Sequence, residues 1–199
     1  MIWFVLDYDT YKHAIIEIDK QRDRGAGIIA ASILQDHLLQ AIRSRFHRNP
    51  SLEANLFKTG GPIGSFATQI DLGFLLGIYP NHIRERLHLI RLIRNDFAHN
   101  VQPASFRSQR DRCAKLKMSH SQESRSFKTF LDEGIKSSGI AVEARTDLFE
   151  VTNNPRTQYI RAVQQMTFLL TIMAKVAVGP QVWVEKKNGG FRFCVASKI

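Results

Sequence analysis

The stretch Asn81-His-Ile-Arg-Glu-Arg-Leu-His-Leu-Ile-Arg-Leu-Ile-Arg-Asn-Asp-Phe-Ala-His99 decides the fold class. Its apolar residues Ile83, Leu87, Ile90 and Phe97 recur at the spacing of one helix face, which predicts an amphipathic helix. Arg94 falls on that same face, where Leu or Ile is the expected occupant. A guanidinium there must snorkel, pair with a carboxylate or line a polar cleft, because burying it alone is too unfavourable. His99 follows about one and a half turns later, which predicts a shared cleft with Arg94. The alternative is a structural ion pair.

Upstream, Pro80 and Asn81 open this helix, with Asn81 as the expected N-cap. Ser65 is placed to cap a short helix carrying Phe66, Ile70, Phe74 and Leu75. Gly77 fits the left-handed position after that helix, with Ile78 folding back as in a Schellman stop. Gly60-Gly-Pro-Ile-Gly64 is a turn-rich link without the Lys and Ser or Thr of a phosphate loop. A longer helix is expected from about 26 to 47, with the stripe Ile28, Ser32, Gln35, Leu39, Ile42 and Phe46, ended by Asn49-Pro50. A first helix is expected from about 6 to 22, separated from it by a turn at Gly25 and Gly27.

Downstream, Ser105 is a candidate cap for a short, very basic helix containing Arg107, Arg110, Arg112, Lys115 and Lys117. A further short helix is expected around 127 to 135, and a strand or extended loop from 140 to 151. Residues 159 to 178 form a nearly all-round apolar helix, expected inside a bundle. The tail from Val182 to Val195 reads as a β-hairpin with Asn188-Gly189 near its turn. The fold class is therefore mainly α, an antiparallel multi-helix bundle with a small C-terminal β-hairpin. The expected domains are a bundle over 1–178 and a hairpin or tail over 179–199.

A chain of 199 residues fits one domain with a real core. Twenty-eight Lys and Arg against 18 Asp and Glu give a formal charge of +10, which suits a polyanionic partner: nucleic acid or an acidic protein surface. The start has no basic n-region and its apolar run stops at Leu6, unlike a signal peptide. No apolar run is long enough to span a bilayer. A cytoplasmic location is expected, with Cys113 and Cys194 as reduced thiols.

No dinucleotide-binding, zinc-protease or hydrolase motif is present. His82 and His88 are six apart and face different sides of a helix, so no metal site and no cofactor are expected. Asp36 and Asp71, which interrupt apolar helices, are the candidate partners for Arg94 in a structural ion pair. The catalytic alternative has its own physics. RNA cleavage removes a proton from a 2′-hydroxyl, stabilises charge on phosphorus and protonates the leaving oxygen. A near-neutral His can move either proton, and an Arg can clamp the phosphate.

The runs 56–78 and 87–100 resemble the signature of the mannitol operon repressor (MltR) family: Gly-Pro-Ile-Gly-Ser-Phe, then Ile-Asp-Leu-Gly, then Ile-Arg-Asn-Asp-Phe-Ala-His. The likeness covers about 26 to 117. It implies an all-helical regulatory protein, a transcriptional repressor or co-repressor, acting through macromolecular binding. This chain carries no helix-turn-helix or zinc-finger spacing, so regulation through a protein partner is the easier inference. The same Arg94-Asn95-x-x-x-His99 run is similar to the Arg-x(4–6)-His motif of HEPN domains. That resemblance implies a metal-independent, toxin-like endoribonuclease with Arg94 and His99 as catalytic pair and Asn95 as a polar helper. Either way a homodimer is expected, with partner or nucleic-acid contacts through the basic residues 107 to 117.

Overall fold

A computed structural model describes residues 3, 5–102, 104–116, 152–176, 181–187 and 190–196, the last two ranges and residues 175–176 by their backbone alone. The described residues are mainly helical. The helices are α1 (Tyr8–Lys20), α2 (Asp23–Arg43), α3 (Pro50–Phe57), α4 (Phe66–Leu75), α5 (Asn81–His99), α6 (Arg110–Lys115) and α7 (Pro155–Val176). Strands β1 (Gln181–Lys187) and β2 (Gly190–Ala196) pair antiparallel, with Trp183 opposite Cys194 and Lys187 opposite Gly190. Asn188 and Gly189 lie outside the described residues, as do Lys117, the short helix expected around 127 to 135 and the extended segment expected from 140 to 151.

Helix α2 is the hub, packed against α1, α4, α5 and α7. Its buried residues are Ala26, Gly27, Ala30, Ala31, Ile33, Leu34, His37, Leu38, Ala41 and Ile42. The expected face holds in part: Ile33, Leu38 and Ile42 are buried, but Ser32 is exposed and Gln35 half-buried, so the buried side is turned toward the alanines. Small side chains let neighbours approach closely, so alanines as well as bulky residues mark the buried side. Helix α2 also starts earlier than the pattern indicates, with Gly25 and Gly27 inside it. Gly27 is there for space: a Cβ on it would overlap Cδ2 of the buried Phe97.

Helix ends follow local chemistry. Ser65 caps α4 by accepting from Thr68 N–H at 3.0 Å. The stop of α4 is a Schellman motif: Ile78 N–H reaches Gly73 O at 3.0 Å and Gly77 N–H reaches Phe74 O at 2.9 Å. Gly77 has φ +68, the left-handed value this stop needs. Helix α3 is an element the apolar spacing does not announce. Its signal is the cap, since Asn49 accepts from Leu52 N–H at 3.1 Å ahead of Pro50 at the first helical turn. Asn81 is not the cap of α5. Pro80 stands there, and the Asn81 carboxamide instead donates to Glu85 at 2.8 Å. Ser105 caps a turn before α6 rather than the helix, accepting from Ser108 N–H at 3.2 Å.

The core joins α2, α5 and α7 through aromatic contacts. Phe97 meets Phe106 edge-on at 4.9 Å, and Phe106 meets Tyr159 at 5.1 Å. Tyr159 hydroxyl donates to Gly27 O at 3.0 Å, so the one polar tip in this stack is satisfied.

Candidate functional site

Helix α5 buries Ile83, Arg86, Leu87, Ile90, Ile93 and Phe97. Arg94 shares that side but is half-buried, and its guanidinium donates to the Asn95 carboxamide oxygen at 3.2 Å. Among the described residues it forms no ion pair. Its charge does reach the core, where it opposes the burial that raises the Tyr159 phenol above its ordinary range. The cation seated deepest on α5 is Arg86, only 9% exposed.

His99 is the last residue of α5 and is exposed. Five residues of regular helix turn through about 500°, which leaves Arg94 and His99 about 140° apart around the axis. The helix therefore starts the two side chains toward different sides, Arg94 along the buried stripe and His99 toward solvent.

The acids of this region serve other partners. Asp71 on α4 accepts from Arg84 Nε at 2.7 Å and lies 3.1 Å from His88 Nε2. Arg91 Nε approaches His88 Nδ1 at 3.4 Å. An arginine can only donate, so Nδ1 accepts and the proton of the neutral ring sits on Nε2, facing Asp71. The hydrogen bond to His88, and after it the one to Arg84, holds the Asp71 carboxyl below its usual range. Asp71 thus knits α4 to α5, as expected of a structural pair, but through Arg84 and His88 instead of Arg94. Asp36 is exposed and forms no ion pair among the described residues. Its neighbour His37 is the buried polar residue of that turn.

Asp96, inside the 94–99 run, faces α6. It accepts from Arg112 and, at 3.0 Å, from Gln109 Nε2. Of the expected basic contacts, Arg112 is therefore engaged internally, while Arg107, Arg110 and Lys115 are exposed. Sequence reasoning does not single out Asp96. Its one signal is the basic segment thirteen and sixteen residues on.

His37 is a second residue that the pattern misses. It is fully buried, with Nδ1 2.8 Å from Ile33 O and Nε2 accepting from Leu6 N–H at 3.1 Å. These contacts assign the ring proton to Nδ1. Burial keeps its pKa below the ordinary imidazole value. The ring pins the segment before α1 onto α2, beside Tyr11 at 4.8 Å.

A cleft of about 580 Å³ opens where α2 starts, lined by Arg22, Asp23, Arg24, Val101, Ala104 and Ser105. Arg24 crosses it to donate to Asn100 O at 2.5 Å and Gln102 O at 2.9 Å. Both oxygens of Asp23 are occupied, by Phe106 N–H at 2.9 Å and Arg156 Nη1 at 3.1 Å.

The Cys113 thiol is buried, which pushes its pKa up to about 12 and leaves it protonated. No group of three or more His, Cys, Asp or Glu side chains there is arranged to hold a metal ion. No described helix is long and apolar enough to cross a membrane. No family model matches the chain, and neither a curated protein nor a solved structure does, so the two resemblances stand on the quoted residues alone.

Proposed function

We propose that this chain is a helical regulatory protein, a repressor or co-repressor of the mannitol operon repressor kind, acting by binding a macromolecule rather than by chemistry. The supporting observation is the divergence of Arg94 and His99 around α5, with neither held by an acid that would tune or aim it. General acid–base work needs the imidazole within hydrogen-bond reach of the reacting proton and beside the phosphate clamp. A chain whose nearby acids, Asp71 and Asp96, are engaged in joining helices is built to present a surface. In this reading the helices form an antiparallel bundle closed by the terminal hairpin. The protein is a cytoplasmic homodimer needing no cofactor.

The competing ribonuclease reading sets two copies of the Arg94–His99 pair facing each other across a dimer axis, to supply an acid and a base. Incubating purified protein with RNA, with and without metal, separates the two. The regulatory reading expects intact RNA and partner binding that survives His99→Ala. RNA cut by wild-type protein and spared by both His99→Ala and Arg94→Ala would overturn it.

A further inference from the structure

We propose that the cleft at the start of α2, with the cations just beyond it, binds the phosphate backbone of a single nucleic-acid strand. This rests on the reading of the chain as a macromolecule-binding protein and names the surface and the partner. The cleft joins two segments far apart in sequence, since Arg22 to Arg24 face Val101, Ala104 and Ser105 across it. Arg24 holds that geometry by bridging two carbonyls of the opposite wall. Arg22, in the lining, is exposed, and so are Arg107 and Arg110, which follow the lining residue Ser105 by two and five residues in the chain.

The sign of the surface follows from what its acids do. Asp23 is the acid in the wall, and each of its oxygens already accepts a hydrogen bond. Asp96 is likewise held by Gln109 and Arg112. Among the described residues from 101 to 116 only Asp111 is exposed and acidic, against Arg107, Arg110 and Lys115; on the other wall Arg22 is exposed, as are Glu17 and Asp19 of α1 just before it. Three of those four cations are arginines, whose planar fork matches two phosphate oxygens where an ammonium offers a point charge. The volume is that of a small-molecule pocket, enough for a nucleotide unit and too small for a duplex. Val101, 99% exposed at the lip, offers an apolar surface to a sugar or base.

Fluorescence anisotropy on the full chain tests this, with labelled RNA and DNA single strands of about 12 nucleotides, the matching DNA duplex and a poly-glutamate peptide, each over a salt series. Binding of a single strand tighter than duplex or peptide is expected, and the RNA and DNA arms identify which strand the cleft prefers. The triple variant Arg22→Ala/Arg107→Ala/Arg110→Ala should weaken binding at least about tenfold, and its salt slope should fall by about one for each phosphate that is no longer neutralised. The control triple Lys12→Ala/Arg48→Ala/Lys58→Ala, of equal charge, should stay within about twofold of wild type. Circular dichroism checks folding, and the single variant Arg107→Glu serves if the triple does not fold. Equal weakening in both triples would reduce the effect to net charge and overturn the proposal. Equal binding of the peptide, tighter binding of the duplex, or no binding at low salt would overturn it as well. Cleavage of the strand would instead count against the regulatory reading, a different readout from failure to bind.

Discussion

The two flanks of α5 are each closed by an aspartate, but the acid stands on opposite partners. Against α4 the carboxylate belongs to the neighbour, Asp71, and α5 supplies Arg84 and His88. Against α6 the carboxylate belongs to α5, Asp96, and the neighbour supplies Arg112 and Gln109. Between the flanks lie the buried stripe and Arg94, which takes part in neither closure. A cation on an amphipathic helix therefore cannot be assigned a role from its own helix. The acid that claims it sits on another element, and Arg94, the least expected cation by pattern, takes a carboxamide of its own helix instead.

The sharpest way to break this comparison lies inside the 94–99 run itself. Phe97 is fully buried and stacked on Phe106, so Phe97→Ala should lower stability by about 3–5 kcal/mol. Arg94→Ala should change it by less than about 1 kcal/mol, because a half-buried guanidinium bonded only to Asn95 holds no element in place. Urea unfolding of the two variants decides the matter. A destabilisation at Arg94 as large as at Phe97 would mean that the arginine, and not the aspartates, anchors this end of the helix.

Gly27→Ala probes the same contact from the opposite side. The added methyl runs into the Phe97 ring well inside van der Waals distance, and overpacking of this kind costs about 1–3 kcal/mol. Trimming the ring in the double variant Gly27→Ala/Phe97→Leu should return part of that stability. Strictly additive effects would show that the two residues do not compete for one space.

His37 offers a fully buried counterpart to the half-buried His88. Its folded pKa lies below the ordinary value near 6.5, so between the two values the unfolded chain binds the proton and the folded chain does not. The stabilisation is then complete above about pH 6.5 and drains away as pH falls through the folded value. Protonating Nε2 also removes the acceptor of Leu6 N–H. An effect of about 1–2 kcal/mol, the size of one buried hydrogen bond, is expected. Unfolding midpoints compared at pH 8 and pH 5 measure it, and a His37→Gln variant should lack that slope. A slope unchanged by the substitution would assign the pH dependence to other groups.

The legibility of this architecture is uneven for physical reasons. Helix caps that use one side chain and the next turn, such as Ser65 and Gly77, are local and stand plainly in the chain. The stripe of α5 is readable because its buried residues are large. The buried face of α2 is readable only in part: Ile33, Leu38 and Ile42 mark it, while Ala26, Ala30, Ala31 and Ala41 look neutral in an apolar pattern yet allow the closest packing. The site residues depend on contacts at long range. The interruption of an apolar helix marks Asp71 as an ion-pair residue, yet which cation it takes is set by how α4 lies along α5. Spacing alone puts His99 beside Arg94, and the 140° between them emerges only once the helix is known to run to its last residue.

The smallest expected effects separate the flanks from each other. Asp71→Asn and Asp96→Asn should each cost under about 1 kcal/mol, since both pairs are partly exposed. The Asp96 carboxylate is the less exposed, 34% against 46% for Asp71, so salt should screen the Asp71 closure more completely. Acid distinguishes them further. Because His88 and Arg84 lower the Asp71 pKa, its contribution is full above about pH 4 and is lost as pH falls through the lowered value. Urea titrations at low and high salt, from neutral pH down to about pH 3, resolve the two variants. If Asp71→Asn is as destabilising in high salt as in low, its closure is a set of fixed hydrogen bonds rather than a screened pair. The α4 flank would then be the more rigid side of the helix.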